Sequence, residues 1–188
     1  MAELQSLDEL LADEMKETFS INNGRRFAML KECGIGSKLK RVDIYDIPEG
    51  SILIKLDQYN QPDSLFKNHR GQRKRCDYVL VTTIENRDIL LFIEMKSSRI
   101  RNIEIEQQFK GAECVIDYCD AVLNRFHGQD DLLKKHTKHF VIFYKPLSIS
   151  KRPTRPKKSP QQINNTPERA YRYSDPIRPS LETLIYHK

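Results

Sequence analysis

The feature that most constrains the fold is a pair of apolar runs, DYVLVTTI and ILLFIEMK, within residues 77–96. Both runs are rich in leucine, β-branched and aromatic residues, which is typical of strands. The residues between them, Glu85 to Asp88, have the composition of a four-residue hairpin loop. Because the runs are largely apolar on both alternating faces, the hairpin is predicted to lie in the middle of a sheet that is covered on two sides.

The rest of the chain supplies the elements that such a sheet needs. Ser6 and Glu9 form a capping-box pattern, and apolar residues at helical spacing predict a helix that continues to about residue 19. Apolar residues in steps of three and four predict a second helix over residues 103–123. Strands are predicted over residues 27–33, 42–47, 52–56 and 139–144, with a final strand at 181–186. This order predicts an α/β fold with a central mixed β-sheet flanked by helices.

Charge divides the chain into two parts. Residues 151–188 contain nine Lys/Arg and three Asp/Glu, whereas residues 1–150 contain 23 of each. The formal excess of +6 therefore lies in the C-terminal part, which also holds six of the nine prolines. We interpret residues 1–150 as the folded core and residues 151–188 as a basic, proline-rich extension. Such an extension either attracts polyanions, of which nucleic acid is the commonest in the cytosol, or is a solvated tail.

Three other features bear on the class of protein. The longest wholly apolar run, residues 89–93, is too short to span a bilayer, so no membrane partner is expected. The first residues lack a basic segment followed by an apolar block, which predicts no signal peptide and a cytoplasmic location. The four cysteines form no C-x-x-C pair, which argues against a zinc knuckle and a disulfide framework.

Two charged residues stand at the end of the second apolar run, where a buried strand should not carry charge without a partner or a function. Glu94 and Lys96 are two residues apart, so both side chains leave the same face of the sheet. If Ile84 pairs with Ile89, Asp77 lies directly opposite Lys96 and one diagonal step from Glu94. A one-residue slip would break this convergence.

This arrangement suggests phosphodiester hydrolysis. Two carboxylates, from Asp77 and Glu94, suit Mg²⁺ or Mn²⁺, and the main-chain carbonyl of Met95 is a plausible third ligand. Lys96 could position or help deprotonate a water and offset charge on the phosphate. The structural alternative is a buried ion pair between Lys96 and one of the two carboxylates.

Asp77 followed by Glu94-Met95-Lys96 resembles the active-site pattern of the PD-(D/E)xK nuclease superfamily, with Cys76 where that pattern has proline. The resemblance implies a restriction endonuclease-like core, in which a four-stranded mixed sheet carries the motif on a central hairpin and a helix follows. It also implies that Asp77 and Glu94 bind the metal ion, that Lys96 positions the attacking water, and that Gln108 on the following helix lies near the site. The implied products carry a 5′-phosphate and a 3′-hydroxyl.

Basic and polar residues around this motif are candidates for contacts with the nucleic-acid backbone. They are Arg73, Lys74, Arg75, Ser98, Arg99, Arg152 and Arg155. Tyr171 and Tyr173 lie among arginines and are candidates for stacking on bases.

The sequence thus predicts a Mg²⁺-dependent deoxyribonuclease that acts in phage defence or DNA processing. By the same resemblance it works as a homodimer or with a partner protein that supplies recognition. The alternatives are a catalytically inactive nuclease-fold subunit that binds nucleic acid or assists assembly, and a structural protein with an incidental motif.

Overall fold

The computed structural model describes residues 2–32, 39–57, 66–67, 69–97, 101–145, 164–174, 176 and 178–186, with side chains from residue 4 onward. Within these residues the fold is mixed α/β, as predicted. The elements in chain order are α1 (Ala2–Leu10), a 3₁₀ turn (Asp13–Met15), β1 (Lys16–Glu17), β2 (Phe19–Asn22), β3 (Arg25–Lys31), β4 (Arg41–Tyr45), β5 (Ile52–Lys55), β6 (Tyr78–Ile84), β7 (Arg87–Lys96), α2 (Asn102–His127), β8 (Thr137–Tyr144), a 3₁₀ turn (Pro167–Arg169), β9 (Tyr171–Ser174) and α3 (Leu181–Tyr186). In the described part of the chain, no helix is both long enough and apolar enough to cross a membrane.

The larger sheet has six strands in the order β1-β5-β6-β7-β8-β9. Neighbours are antiparallel from β1 to β7, and then β7, β8 and β9 run parallel. A parallel neighbour requires a crossover connection, and α2 lies in the crossover between β7 and β8. The carboxyl ends of β7, β8 and β9 therefore lie at one edge of the sheet, where β6 begins.

Both faces of this sheet are covered, as the apolar hairpin predicts. On one face, α1 and α2 pack over Val79, Val81, Leu90 and Phe92. On the other face, the three-stranded sheet β2-β3-β4 and α3 pack over the side chains that point the opposite way, which include Leu80, Leu91, Ile93 and Met95.

The second predicted helix is confirmed, and α2 extends the predicted range at both ends. Its apolar stripe is buried at Ile105, Phe109, Ala112, Ile116 and Leu123. Phe109 lies with its ring edge towards Phe140 of β8, with the ring centroids 5.2 Å apart. The stripe therefore holds α2 across the face of the sheet that Glu94 and Lys96 share.

The predicted loop and register of the central hairpin are wrong by two residues. Glu85 and Asn86 alone form the turn, both at positive φ (49° and 60°), and Ile84 pairs with Arg87 rather than with Ile89. Such a two-residue turn matches the twist of the flanking strands. Continuing this register places Asp77 opposite Glu94 instead of opposite Lys96. Because the shift is an even number of residues, all three side chains stay on the α2 face.

The first predicted helix is too long. It ends at Leu10, Ser6 lies within it, and the following residues form a 3₁₀ turn, β1 and β2. Asn23 and Gly24, at φ values of 50° and 74°, form the tight turn between β2 and β3. Pairing of β2 with β3 outweighs the local helical pattern because it covers one face of the central sheet.

The predicted final strand at residues 181–186 is also wrong, because these residues form the helix α3. Leu181, Leu184 and Ile185 are buried at helical spacing, and the Ser180 hydroxyl accepts the Thr183 N–H at 3.3 Å at the helix start. Both β9 and α3 belong to the predicted extension, and both join the core of the larger sheet.

Candidate active site

The candidate site lies at the edge of the larger sheet where β6 begins and β7 ends. Asp77 immediately precedes β6, while Glu94, Met95 and Lys96 are the last residues of β7. The structure brings Asp77, Glu94, Lys96 and Gln108 together at this edge, beneath the first half of α2. The first half of α2 therefore covers the buried part of the site, where Glu94 lies.

Glu94 is fully buried. Its Oε1 forms an ion pair with Lys96 Nζ and accepts a hydrogen bond from Gln108 Nε2 at 2.8 Å. Its Oε2 is buried and has no hydrogen-bond partner among the described residues. Burial and the nearby charge of Asp77 raise the pKa of Glu94 to about 8, although Lys96 and Gln108 oppose this shift.

Asp77 is held by the main chain of the neighbouring strand. Its Oδ2 accepts the Met95 N–H at 2.6 Å. Burial raises the pKa of Asp77 to about 6, in spite of this hydrogen bond and the positive charge of Lys96. The negative charges of Asp57 and Glu32 add to the upward shift of the Asp77 pKa.

Lys96 is partly exposed, with about a quarter of its side chain accessible (25%). Burial lowers its pKa, but the Glu94 carboxylate, with Asp77 and Glu32, more than offsets this, and the pKa is raised. Lys96 is therefore a persistent cation that reaches from the buried carboxylate towards solvent.

The peptide groups of Met95 point towards Asp77. The Lys96 carbonyl accepts the Lys145 N–H at 3.3 Å on the β8 side, whereas the Met95 N–H donates to Asp77 on the β6 side. Because the N–H and C=O of one strand residue point the same way, the Met95 carbonyl also faces the β6 side. This direction suits the metal-ligand role predicted for that carbonyl.

The basic segment (Arg73, Lys74 and Arg75) is bound to α2 beside the site. Gln108 Nε2 donates to the Arg75 carbonyl at 3.3 Å as well as to Glu94, and Lys74 Nζ donates to Gln107 Oε1 at 3.0 Å. Gln108 thus connects the backbone of the basic segment to the candidate metal ligand Glu94, while its buried Oε1 has no hydrogen-bond partner in the described residues.

Sequence reasoning missed the contact between the ends of β3 and β7. The Ser97 hydroxyl donates to Glu32 Oε2 at 2.5 Å and accepts the Leu39 N–H at 2.8 Å. A serine directly after the Glu-Met-Lys motif was the available signal, but its partner could not be identified without the fold of the smaller sheet.

Two further sequence candidates do not lie in this cluster. Tyr171 and Tyr173 contact each other edge to face and pack on the sheet face opposite α2, which is not where Glu94 lies. The predicted backbone-binding residues Ser98, Arg99, Arg152 and Arg155 lie outside the described residues.

In the part of the chain that the structure describes, no group of three or more His, Cys, Asp or Glu side chains is placed to hold a metal ion. The candidate ligand set consists instead of two carboxylates and a main-chain carbonyl. Comparisons of this chain with protein-family models, curated proteins and solved structures gave no match.

Proposed function

We propose that this protein is a nuclease that depends on Mg²⁺ or Mn²⁺ and hydrolyses phosphodiester bonds in DNA. The observation that carries the proposal is the buried carboxyl group of Glu94, whose Oε2 has no hydrogen-bond partner among the described residues. Asp77 and Lys96 lie beside it.

A purely structural ion pair would account for Glu94 less well. A buried carboxylate is costly unless its oxygens are satisfied, and a pair of buried charges adds little stability even when they are. Here one carboxylate oxygen of Glu94 accepts two donors, and the other accepts none from the residues that the structure describes. A divalent cation held by Glu94, Asp77 and the Met95 carbonyl would satisfy that oxygen with the hard oxygen ligands that Mg²⁺ prefers.

Each residue of the site has a different role in the proposed reaction. A bound divalent cation would supply Lewis-acid polarisation of a phosphoryl oxygen. Lys96 extends to solvent, where its ammonium group can orient a water and stabilise negative charge on the phosphate. Gln108 holds Glu94 in place. The basic segment next to Gln108 provides phosphate contacts that bind the DNA backbone independently of sequence.

The arrangement of elements also supports the proposal. An antiparallel run of β5, β6 and β7 is followed by α2 and then by a parallel strand β8. This is the order implied by the resemblance to the PD-(D/E)xK superfamily, with the motif on the central hairpin. The cytoplasmic location and the role in phage defence or DNA processing remain parts of the same proposal.

The test is cleavage of supercoiled, linear and single-stranded DNA with Mg²⁺ or Mn²⁺ by the wild type, Glu94→Gln and Lys96→Gln. We expect each substitution to lower the rate at least about 100-fold, the usual effect of losing a charge-stabilising group. Glu113→Gln is the matched control, because Glu113 on α2 forms a partly exposed ion pair with Lys138 of β8 at 2.8 Å. We expect it to retain activity.

The outcomes separate the proposal from its alternative. Metal-dependent cleavage that is lost in both site variants and kept in the control would support the nuclease. DNA binding without cleavage under any metal condition would instead indicate the catalytically inactive nuclease-fold subunit.

A further inference from the structure

Arg172, in the last strand of the larger sheet, is in cross-strand register with Glu94 through the intervening strand β8. Glu94 pairs with Ile142 of β8, and Ile142 pairs with Arg172 of β9. Two strand spacings of 4.7–4.9 Å place the Arg172 backbone about 10 Å from that of Glu94. Arg172 comes into register with Glu94 only when β9 pairs with β8, so the sequence pattern alone does not indicate it.

The side chain of Arg172 lies on the same face of the sheet as the candidate site. Its two neighbours, Tyr171 and Tyr173, pack on the opposite face, and strand side chains alternate. Arg172 Nη2 donates to Asn102 Oδ1 at 2.7 Å, at the start of α2, and Arg172 is exposed. The guanidinium therefore lies at the start of α2, on the same face of the sheet as Glu94, with further donors open to solvent.

The position of Arg172 extends the positive charge of the site in one direction. The basic segment flanks Glu94 on the β6 side, and Lys96 lies at the end of β7. Arg172 continues this series on β9. A spacing of about 10 Å corresponds to roughly three nucleotides along one DNA strand, at 3.4 Å per nucleotide.

We infer that Arg172 binds a backbone phosphate of the DNA about three nucleotides away from the bond that is cut, which makes β9 part of the substrate-binding surface. This inference rests on the proposed nuclease function. An arginine suits the role because its planar group can donate two hydrogen bonds to one phosphate while a third donor stays on Asn102.

The experiment measures binding of a short DNA duplex at several salt concentrations, with the Glu94→Gln chain as a background that does not cut. The added substitutions are Arg172→Gln and, as the matched control, Arg87→Gln, an exposed arginine at the opposite end of β7. We expect Arg172→Gln to weaken binding several-fold and to reduce the slope of log K against log salt by about 0.9, the loss of one phosphate contact. Arg87→Gln should change neither quantity.

A third variant, Asn102→Ala, distinguishes a phosphate contact from a structural role. It removes the protein partner of Arg172 and keeps the charge, so we expect the salt slope of the background. If Asn102→Ala lowers the slope as much as Arg172→Gln, the hydrogen bond only supports the fold and the inference is wrong. Thermal melting of each variant checks that it is folded.

The inference and the proposed function fail in different ways. If the background chain binds DNA and Arg172→Gln behaves like Arg87→Gln, only the inference is overturned. If neither the background chain nor the wild type binds DNA at low salt, both are overturned.

Discussion

The buried carboxyl group of Glu94 lowers the stability of the fold, although the proposed chemistry requires it. It is fully buried, one oxygen has no hydrogen-bond partner in the described residues, and its pKa is raised to about 8 by burial first and by Asp77 second. Retaining an ionisable group there costs stability, a cost that a divalent cation would remove. Glu94 should therefore destabilise the metal-free protein, and binding of a divalent cation should remove this destabilisation.

We expect Glu94→Gln to raise the unfolding free energy by about 1 kcal/mol in the absence of divalent cations, because the amide has no charge to lose on burial. The Lys96 ammonium group that loses its partner has 25% of its side chain accessible, so water can solvate it. Addition of Mg²⁺ should raise the melting temperature of the wild type and leave that of the variant unchanged. Urea unfolding with EDTA and thermal melts with Mg²⁺ measure the two effects.

Glu113→Gln is again the control, because it breaks a glutamate–lysine pair that is partly exposed. We expect it to lose less than about 1 kcal/mol and to keep the response to Mg²⁺. An equal Mg²⁺ response in the Glu94→Gln chain would contradict the assignment of Glu94 as a ligand.

Gly111 provides a second test at the residue scale, because helix propensity and packing predict opposite results there. Propensity alone predicts that Gly111→Ala stabilises α2 by about 1 kcal/mol. However, a Cβ atom at this position would overlap the backbone carbonyl oxygen of Lys74, a group that cannot move like a side-chain end. We expect packing to dominate, with a net loss of about 1–3 kcal/mol in chemical denaturation.

The same clash should displace the basic segment, so we also expect Gly111→Ala to weaken DNA binding. Ala112→Gly is a useful counterpart, since it changes the neighbouring residue without crowding the Lys74 carbonyl. If Gly111→Ala were more stable than the wild type, the close approach of α2 to the basic segment would be wrong.

At the scale of elements, the two tight hairpins differ in how well their turn residues suit the backbone. The β2–β3 turn uses Asn23 and Gly24, which tolerate positive φ at little cost. The β6–β7 turn places Glu85 at φ 49° and Asn86 at φ 60°. Glutamate is poorly suited to this conformation, so the central hairpin carries strain at its tip, far from the candidate site.

We expect Glu85→Asn to stabilise the protein by about 0.5–1 kcal/mol, because asparagine adopts the left-handed conformation more readily than glutamate. Glu85→Val should destabilise it, since a β-branched residue tolerates positive φ least. Equilibrium unfolding in urea measures both changes. Equal stability of the Asn and Val variants would argue against a two-residue turn at this position.

At the scale of the whole molecule, residues near the C-terminal end help to close the core. Asn164 is buried, and its side-chain amide donates to the carbonyls of Phe140 in β8 and Leu184 in α3, both at 3.2 Å. Its Oδ1 lies 2.8 Å from Nδ1 of His139. This network joins the central sheet to α3. Loss of any of its members should therefore lower the free energy of global unfolding.

His139 makes global stability depend on pH. Burial lowers its pKa below 6.5, although the hydrogen bond with Asn164 opposes this. Below about pH 6.5 the unfolded chain binds a proton at this ring that the folded chain does not yet bind, so the contribution of His139 to the unfolding free energy falls as pH decreases. The raised pKa values of Asp77 and Glu94 contribute with the opposite sign, so the effect of His139 is the difference between the wild type and a His139 variant. We expect the slope that His139 contributes to stay below the limit of about 1.4 kcal/mol per pH unit, since the ring is only part buried.

Urea unfolding between pH 5 and pH 8 measures this slope. His139→Gln should remove the contribution, and His127→Gln, at an exposed position at the end of α2, serves as the control. A slope that is unchanged in His139→Gln would assign the pH dependence to other groups.

The sequence by itself determined the α/β class, the central hairpin and the buried stripe of α2, because these depend on local alternation and helical periodicity. It also placed Asp77, Glu94 and Lys96 on one face, since an error of two residues in register preserves which face each side chain takes. The tertiary structure alone decided the two-residue turn, the smaller sheet in place of a longer helix, and α3 in place of a strand. In each of these, the free energy of covering the central sheet outweighed a weak local preference. The same holds for the hydrogen bond between Ser97 and Glu32 and for the strand pairing that places Arg172 two strands from Glu94, because both join residues that are distant in sequence.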